Sequence, residues 1–142
     1  YRKLLGMNLD FVQDNISRSS RNVLRGMHFQ RNYPQGKIVK ASRGEILDVI
    51  VDLRKDSPTY GTWESFKLSE QNKLQVWIPP GFAHGFLVMS DSADFEYKCT
   101  EYYHPEDEHC LMWNDPEVAI DWPINDPILS EKDKQGLFLK DL

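Results

Sequence analysis

The sequence predicts an all-β domain, folded as a jelly roll or β-sandwich barrel with a short C-terminal helix. Three observations favour this class. Short segments are rich in β-branched and aromatic residues, turn residues separate them at roughly 8–12 residue spacing, and no helical pattern alternates with them. The length of 142 residues fits one domain with one core, so we expect residues 1–142 to form a single unit.

The strand signals follow one another closely along the chain. They cover residues 39–41, 46–51, 63–68, 74–78, 86–89, 95–100 and 110–113. Clusters of Gly, Pro, Asn, Asp and Ser lie between them, as in the Pro-Pro-Gly turn at residues 79–81. Residues 130–135 predict a short helix with Ser130 as its N-cap and Asp133 at the third helical position.

Composition excludes several classes of protein. The net charge of −5 and pI near 5.3 argue against nucleic-acid binding, which depends on an excess of Lys and Arg. No apolar run approaches the ~18 residues of a membrane span, and the start at Tyr1 lacks the pattern of a signal peptide. Cys99 and Cys110 do not form a disulfide scaffold or a zinc motif. We therefore expect a cytoplasmic protein with no membrane partner.

The first candidate cluster is the segment LRGMHFQ at residues 24–30. In a strand, Gly26 is expected to form a bulge that admits a neighbouring backbone and redirects His28. His28 alone is compatible with a structural role at a strand end. However, the nearby polar residues are costly to bury unless they converge on a ligand or on one another. These residues are Gln13, Asn15, Arg25, Gln30 and Lys37.

The second cluster, WIPPGFAHGF at residues 77–86, contains the Pro-x-Gly-x-x-His spacing of many cupin-type barrels. In those barrels the turn leads into a strand that points its His, here His84, inward. The alternative is a surface His after a turn. A cupin metal site usually takes His-x-His and a Glu, whereas the comparable stretch here offers only His28 and Gln30. The sequence therefore predicts a cupin-like fold without a metal.

The third cluster is FEYKCTEYY at residues 95–103. As a strand it places Phe95, Tyr97 and Cys99 on one face. An inward tyrosine is either core or, beside a histidine in a cavity, a proton donor. Near the C-terminus, Asp133 can supply a carboxylate that orients a histidine. The spacing alone does not pair Asp133 with His28.

Together these clusters resemble the dTDP-4-dehydrorhamnose 3,5-epimerase family of nucleotide-sugar enzymes. Further carrying motifs are FVQDN at residues 11–15, Gly-Lys at 36–37, WNDP at 113–116 and DWP at 121–123. The resemblance runs in family order from about residue 10 to 133. It implies a metal-free and cofactor-free jelly roll, usually a homodimer. The implied reaction is epimerisation of a 4-keto-6-deoxyhexose carried by dTDP, dTDP-4-keto-6-deoxyglucose, at C3 and C5.

The resemblance also implies roles for individual residues. His28 is similar to the base that removes protons beside the C4 ketone, Asp133 to the carboxylate that orients it, and Tyr97 to the acid on the opposite face. Lys37 is similar to the residue facing the C4 oxygen. Substrate-binding roles are implied for Gln13, Asn15, Arg25, His84, Glu108, Lys132 and one of Tyr102 and Tyr103.

One departure and several alternatives accompany this interpretation. The family usually opens with an Asp-x-Arg-Gly-x-Phe-x-Glu strand region, and the present sequence begins after it, so we expect the family's N-terminal strands to be missing from residues 1–142. An epimerase acting at only C3 or only C5 shares the same features. A non-catalytic nucleotide-sugar-binding barrel and a metal-dependent cupin oxygenase or isomerase are the alternatives from other classes.

Overall fold

The computed structural model describes residues 10–142, so the expectation for the start of the chain at Tyr1 lies outside the described residues. These residues form nine strands and three short 3-10 helices. The strands are β1 Gln13–Ser20, β2 Leu24–Gln30, β3 Lys37–Arg43, β4 Glu45–Asp52, β5 Trp63–Ser69, β6 Gln75–Ile78, β7 Phe82–Val88, β8 Ser92–Cys99 and β9 Glu108–Cys110. The 3-10 helices are Pro105–Asp107, Asp133–Gln135 and Leu139–Asp141.

The strands form two antiparallel sheets. The four-stranded sheet has the order β1-β8-β3-β6, and the five-stranded sheet has the order β5-β4-β7-β2-β9. An apolar cluster between them contains residues of both sheets, among them Val39 and Phe95 from the first and Ile50 and Phe86 from the second. The jelly-roll prediction is therefore confirmed, with both sheets joined by one layer of core side chains.

Strand β4 shows how the five-stranded sheet is buried on both faces. Ile46 and Ile50 contribute to the cluster between the sheets. Val49 and Val51 belong to a second cluster on the opposite face, as the alternation of a strand requires. The chain after β9 covers that face and adds, for example, Trp122 to the second cluster. A strand buried on both faces explains the nearly continuous apolar run of residues 46–51.

Two predictions about elements differ from the structure. The strand expected at residues 110–113 is wrong, because β9 ends at Cys110 and Leu111 makes only an isolated parallel bridge to Leu137. The predicted helix at residues 130–135 is a single 3-10 turn, although the backbone N–H of Asp133 donates to Ser130 Oγ at 3.1 Å as an N-cap contact would. Among the described residues, no helix is long and apolar enough to cross a membrane.

The predicted bulge at Gly26 is confirmed. The register between β2 and β7 shifts between Arg25 and His28, and Gly26 has a φ of 125°. A Cβ at Gly26 would lie 2.7 Å from the Cα of Gly85, so the two strands approach more closely there than side chains allow. The bulge places His28 directly opposite His84 in the neighbouring strand.

Candidate active site

Two adjoining cavities, of about 320 and 270 Å³, lie where polar residues replace the core between the sheets. Both are lined by His28, Lys37 and Tyr97. The first is also lined by Gln13, Asn15, Phe29, Gln30, Gln35, Tyr103 and Glu108. The second is also lined by Ser17, Arg25, His84, Gly85, Phe86 and Phe95. Strands of both sheets therefore bring the predicted groups to one cleft.

His28 and Asp133 form a hydrogen-bonded pair beside this cleft. His28 Nε2 lies 2.5 Å from Asp133 Oδ1, and the carboxylate is buried while the imidazole is 30% exposed. The backbone N–H of Gly26 donates to Asp133 Oδ2 at 3.2 Å. Burial acts to raise the pKa of Asp133, but the hydrogen bonds from His28, Gly26 and Ser130 outweigh it, and the pKa lies below its usual range. Asp133 is therefore charged at neutral pH, and it accepts a hydrogen bond from the protonated Nε2 of His28.

Tyr97 and Lys37 lie together in the same cleft. Lys37 Nζ is 5.6 Å from the centre of the Tyr97 ring. Burial, with the nearby Cys99 and Glu108, raises the pKa of Tyr97 to about 12. Burial lowers the pKa of Lys37, although Cys99, Glu108 and Asp48 partly oppose this shift. Tyr97 is thus a protonated phenol that can donate, next to a lysine whose ammonium has little competing solvent.

A second histidine-carboxylate pair lies deeper. His84 Nε2 is 2.6 Å from Asp48 Oδ1, and both side chains are buried. Burial lowers the pKa of His84 against the opposing charge of Asp48. The His84 ring also stacks on Phe95, with centroids 5.6 Å apart. The prediction that the strand after the Pro-Pro-Gly turn carries His84 inward is confirmed.

Two buried polar atoms have no hydrogen-bond partner among residues 10–142, and one of them belongs to a residue that lines the cleft. They are Asn15 Nδ2, on a residue that lines the first cavity, and Asp48 Oδ2, beside His84. An unsatisfied buried donor or acceptor costs about 1–3 kcal/mol, so such groups usually have a bound partner. The cleft therefore has the character of a site for a polar ligand.

The family model described as dTDP-4-dehydrorhamnose 3,5-epimerase matches residues 1–141. The chain belongs to the dTDP-4-dehydrorhamnose 3,5-epimerase family. It is 56% identical to the dTDP-4-dehydrorhamnose 3,5-epimerase of Pseudomonas aeruginosa, over 96% of this chain and 76% of the relative. It is 53% identical to that of Escherichia coli K12, over 100% of this chain and 78% of the relative.

Solved structures of this epimerase family superpose closely. The dTDP-6-deoxy-D-glucose-3,5-epimerase of Legionella pneumophila, in complex with dTDP-4-keto-L-rhamnose, has a TM-score of 0.95 and 53% identity, covering 99% of this chain and 75% of that chain. A 3'-monoepimerase of Streptomyces bikiniensis in complex with dTDP-quinovose has a TM-score of 0.91 and 34% identity, covering 98% of this chain and 71% of that chain. Double- and single-centre epimerases therefore share this fold.

The residues predicted to bind substrate fall into two groups. Six of them line the cleft: Gln13, Asn15, Arg25, His84, Tyr103 and Glu108. Lys132 does not line it but donates to Glu108 at 3.0 Å, and Tyr102 is 58% exposed and also outside the lining. Of the two tyrosines that the sequence left open, Tyr103 is the one at the cleft.

One group of described residues offers metal-ligand atoms close together. Atoms of His28, Cys110 and Asp133 all lie within 4.8 Å of one another. The His28 and Asp133 atoms already bond each other, and the Cys110 thiol donates to the Gly26 carbonyl at 3.3 Å. Burial and the charge of Asp133 raise the pKa of Cys110 to about 12, which disfavours the thiolate that binds metals. The geometry favours a hydrogen-bonded pair, and the absence of a metal stays a prediction.

Sequence reasoning missed several residues of this epimerase cleft. Asp48 was not recognised as the partner of His84, although a single acid within the apolar run of residues 46–51 is itself a signal. No role at the site was predicted for Cys110, yet its Sγ lies 3.8 Å from Asp133 Oδ1. Gln35 and Ser17 line the cavities and carried no recognisable signal.

Proposed function

We propose that this protein catalyses epimerisation of dTDP-4-keto-6-deoxyglucose at C3 and C5, in the dTDP-L-rhamnose pathway. The observation that carries the proposal is the convergence of His28, Lys37 and Tyr97 on one cleft, with Asp133 bonded behind His28. A base, an oxyanion stabiliser and an acid are the groups needed to invert a carbon next to a ketone. No redox step is required, because the substrate and product are isomers.

The reaction begins with removal of a proton. Since the charged Asp133 accepts from Nε2, the lone pair of His28 is on Nδ1, and this nitrogen takes the proton from the carbon beside the ketone. The electron pair of the C–H bond moves into a C–C double bond, and negative charge develops on the C4 oxygen. Lys37 stabilises that charge, because a cation preorganised in a water-poor site is typically worth about 3–4 kcal/mol.

The second half of the reaction inverts the centre. The enolate collapses to the ketone while Tyr97 delivers a proton to the opposite face of the same carbon. Its phenol is still protonated at neutral pH because burial holds the pKa near 12. Placed acids and bases typically contribute about 10²–10⁴-fold to the rate. Proton exchange with solvent then returns His28 to its neutral form and Tyr97 to its phenol. Both C3 and C5 flank the C4 ketone, so the same three groups serve both positions.

The nucleotide part of the substrate is assigned to the first cavity and to the adjoining part of the second, which Arg25 and His84 line. Tyr103 supplies an aromatic face for the thymine, and Arg25 and Lys132 supply positive charge for the diphosphate. Gln13, Asn15, His84 and Glu108 complete the proposed contacts. Asn15 brings its unpartnered Nδ2 donor to this region, which supports binding of an acceptor-rich ligand.

We also propose a homodimer, a cytoplasmic location and a single domain spanning residues 1–142. The family resemblance supports the dimer. Two free cysteines, Cys99 and Cys110, suit a reducing compartment. The two sheets share one apolar cluster, which supports a single domain.

The decisive experiment follows deuterium from heavy water into the substrate. The protein is incubated with dTDP-4-keto-6-deoxyglucose in heavy water, and products are analysed by mass spectrometry and proton NMR. Deuterium at both C3 and C5 of an inverted sugar is expected. Binding of dTDP without any exchange would contradict the enzymatic proposal and favour a binding barrel.

A single-centre epimerase is the second candidate. The observation in its favour is the TM-score of 0.91 with the 3'-monoepimerase, whose fold this chain shares at 34% identity. The same experiment separates the two, since a single-centre enzyme incorporates deuterium at only one carbon.

A further inference from the structure

We propose that Gln30 is a positioning residue that holds Tyr103 at the cleft, so that its loss weakens nucleotide binding without impairing proton transfer. The inference rests on the proposed function, in which Tyr103 contacts the nucleotide. Gln30 is the last residue of β2, two positions after His28, and its side chain is 6% exposed.

The three hydrogen bonds of the Gln30 carboxamide all go to backbone groups of neighbouring segments. Its Nε2 donates to the carbonyl of Tyr33 at 2.7 Å and to the carbonyl of Tyr102 at 3.2 Å. Its Oε1 accepts from the backbone N–H of His104 at 2.8 Å. Both amide protons therefore have acceptors, which leaves Gln30 no donor for a substrate.

These bonds enclose Tyr103 on both sides. Gln30 holds the residue before it and the residue after it, and the N–H of Tyr103 itself donates to Gln13 Oε1 at 2.9 Å. Tyr103 belongs to a segment outside the strands and is 43% exposed, so its sheet neighbours do not fix it. The orientation of its ring in the cleft consequently depends on the side chains that bind its backbone, together with Lys132, which interacts with the Tyr103 phenol.

A second set of contacts joins the same two loops. The carboxylate of Asp107 accepts from the N–H groups of Asn32 and Tyr33 and from the Asn32 amide, at 2.8–3.0 Å. Tyr33 stacks on His104, with ring centroids 3.8 Å apart. The loop after β2 and the segment after β8 thus form one hydrogen-bonded unit, and Gln30 joins this unit to the strand that carries His28.

The test compares Gln30→Met with the parent protein. Methionine has similar length but cannot donate or accept these bonds. We expect dTDP to bind about tenfold more weakly, because the hydrogen bonds that hold Tyr103 in place are lost. Calorimetry measures this affinity. We expect deuterium exchange at saturating substrate to stay within about threefold of the parent, because Gln30 is not a catalytic residue.

A double-mutant cycle identifies Tyr103 as the residue through which Gln30 acts. In a Tyr103→Ala background, Gln30→Met is expected to change dTDP affinity by less than about twofold, because the group it positions is already absent. An equal loss in both backgrounds would overturn the proposal. Unchanged affinity in the single variant would do the same.

Two further variants separate positioning from general instability. Asp52→Asn disturbs a buried network in the β4–β5 loop that contributes no lining residue to the two cavities, and it should lower the melting temperature with normal dTDP affinity. If Gln30→Met does not fold, the smaller Gln30→Leu, which also lacks the donors and the acceptor, replaces it, and the same affinity loss is expected. If the parent protein itself fails to bind dTDP, the proposed function is wrong. Parent binding together with normal affinity in the variants contradicts the inference about Gln30 alone.

Discussion

His28 Nε2 and Asp133 Oδ1 lie 2.5 Å apart although 105 residues separate them in the sequence. Asp133 reaches this position because a 3-10 turn begins at it and the bulge at Gly26 offers its backbone N–H to the same carboxylate. The buried, charged Asp133 sets the tautomer of His28 and leaves one imidazole nitrogen as a base. The relationship makes the proton-transfer chemistry directly testable.

His28→Ala is expected to abolish exchange of the ring protons while dTDP binds within about threefold of the parent, because the imidazole contributes to the chemistry more than to nucleotide binding. Deuterium incorporation measures the first effect and calorimetry the second. Equal losses of exchange and of affinity would contradict the role of His28 as a base.

Asp133→Asn is expected to slow exchange by about 10²–10⁴-fold, since the negative charge that stabilises the imidazolium is lost and the amide NH₂ can donate to Nε2, which favours the wrong tautomer. A matched control is Asp94→Asn. The Asp94 carboxylate pairs with Arg18 at 2.7 Å, and Asp94 is a residue of β8 that does not line the cleft. Comparable slowing in both variants would show that Asp133 has no special role.

Tyr97→Phe is expected to retain proton removal and to suppress inversion. The ring and its packing stay, but the phenol proton is lost, so the enolate is reprotonated from the face that His28 occupies. NMR of the product in heavy water distinguishes labelled but uninverted sugar from the inverted sugar. Tyr60→Phe, outside the two cavities, is the control. Inversion at the parent rate in Tyr97→Phe would assign the acid to another group.

Lys37 is expected to control the alkaline limit of activity. Burial lowers the pKa of Lys37, so it loses its positive charge, and its stabilisation of the enolate, at a lower pH than an ordinary lysine. Tyr97 remains protonated to about pH 12 and does not set this limit. Lys37→Arg should shift the alkaline limb of kcat upward, whatever its effect on the maximum rate, because guanidinium stays charged. The control is Lys40→Arg, on a residue outside the two cavities, which should leave the alkaline fall of kcat at the same pH as in the parent. If Lys37→Arg also leaves it unchanged, Lys37 does not set the alkaline limit.

The strands that the sequence predicted best are those whose own residues carry the pattern. Residues 46–51 and 63–68 fall within β4 and β5, since apolar and β-branched side chains mark them locally. Strand β1, with the polar sequence QDNISRSS, was not predicted as a strand. Its eight residues are held by pairing with β8, from Gln13 opposite Cys99 to Ser20 opposite Ser92. Pairing between distant segments is a tertiary effect that no short window shows.

The features of the site also divide into those that the local sequence predicts and those that depend on distant residues. The bulge at Gly26 followed from local residue types, because a glycine inside a strand has local consequences. The inward His84 was expected from the Pro-x-Gly-x-x-His spacing that cupin-type barrels share. The partners of both histidines did not follow from the local sequence, since Asp48 and Asp133 lie 36 and 105 residues from them. The pairing of His28 with Asp133 was expected from family resemblance, and Asp48 was not expected at all.

The stability of the β4–β5 loop should depend on pH through Asp52. Its buried carboxylate accepts from Arg54 Nε at 3.0 Å, Ser57 Oγ at 2.6 Å and Thr59 Oγ1 at 2.5 Å. The hydrogen bond with Arg54, more than the smaller contributions of Ser57 and Thr59, holds the pKa of Asp52 far below its usual range against the opposing effect of burial. Asp52→Asn should lower the free energy of unfolding at pH 7 by about 1–3 kcal/mol, the usual effect of losing a buried charge-assisted network.

The difference between the parent and Asp52→Asn should shrink in acid. A carboxyl whose pKa is lowered by folding stabilises the native state fully above its unfolded pKa, near 3.9, and loses that contribution as the pH falls towards the folded value. Urea unfolding at pH 7, 5 and 3.5 measures the difference, and acidic groups common to both proteins cancel from it. Asp56→Asn, on an exposed residue of the same loop, should match the parent throughout. A difference that stays constant down to pH 3.5 would mean that Asp52 contributes through packing and hydrogen-bond geometry, and that its charge is unimportant.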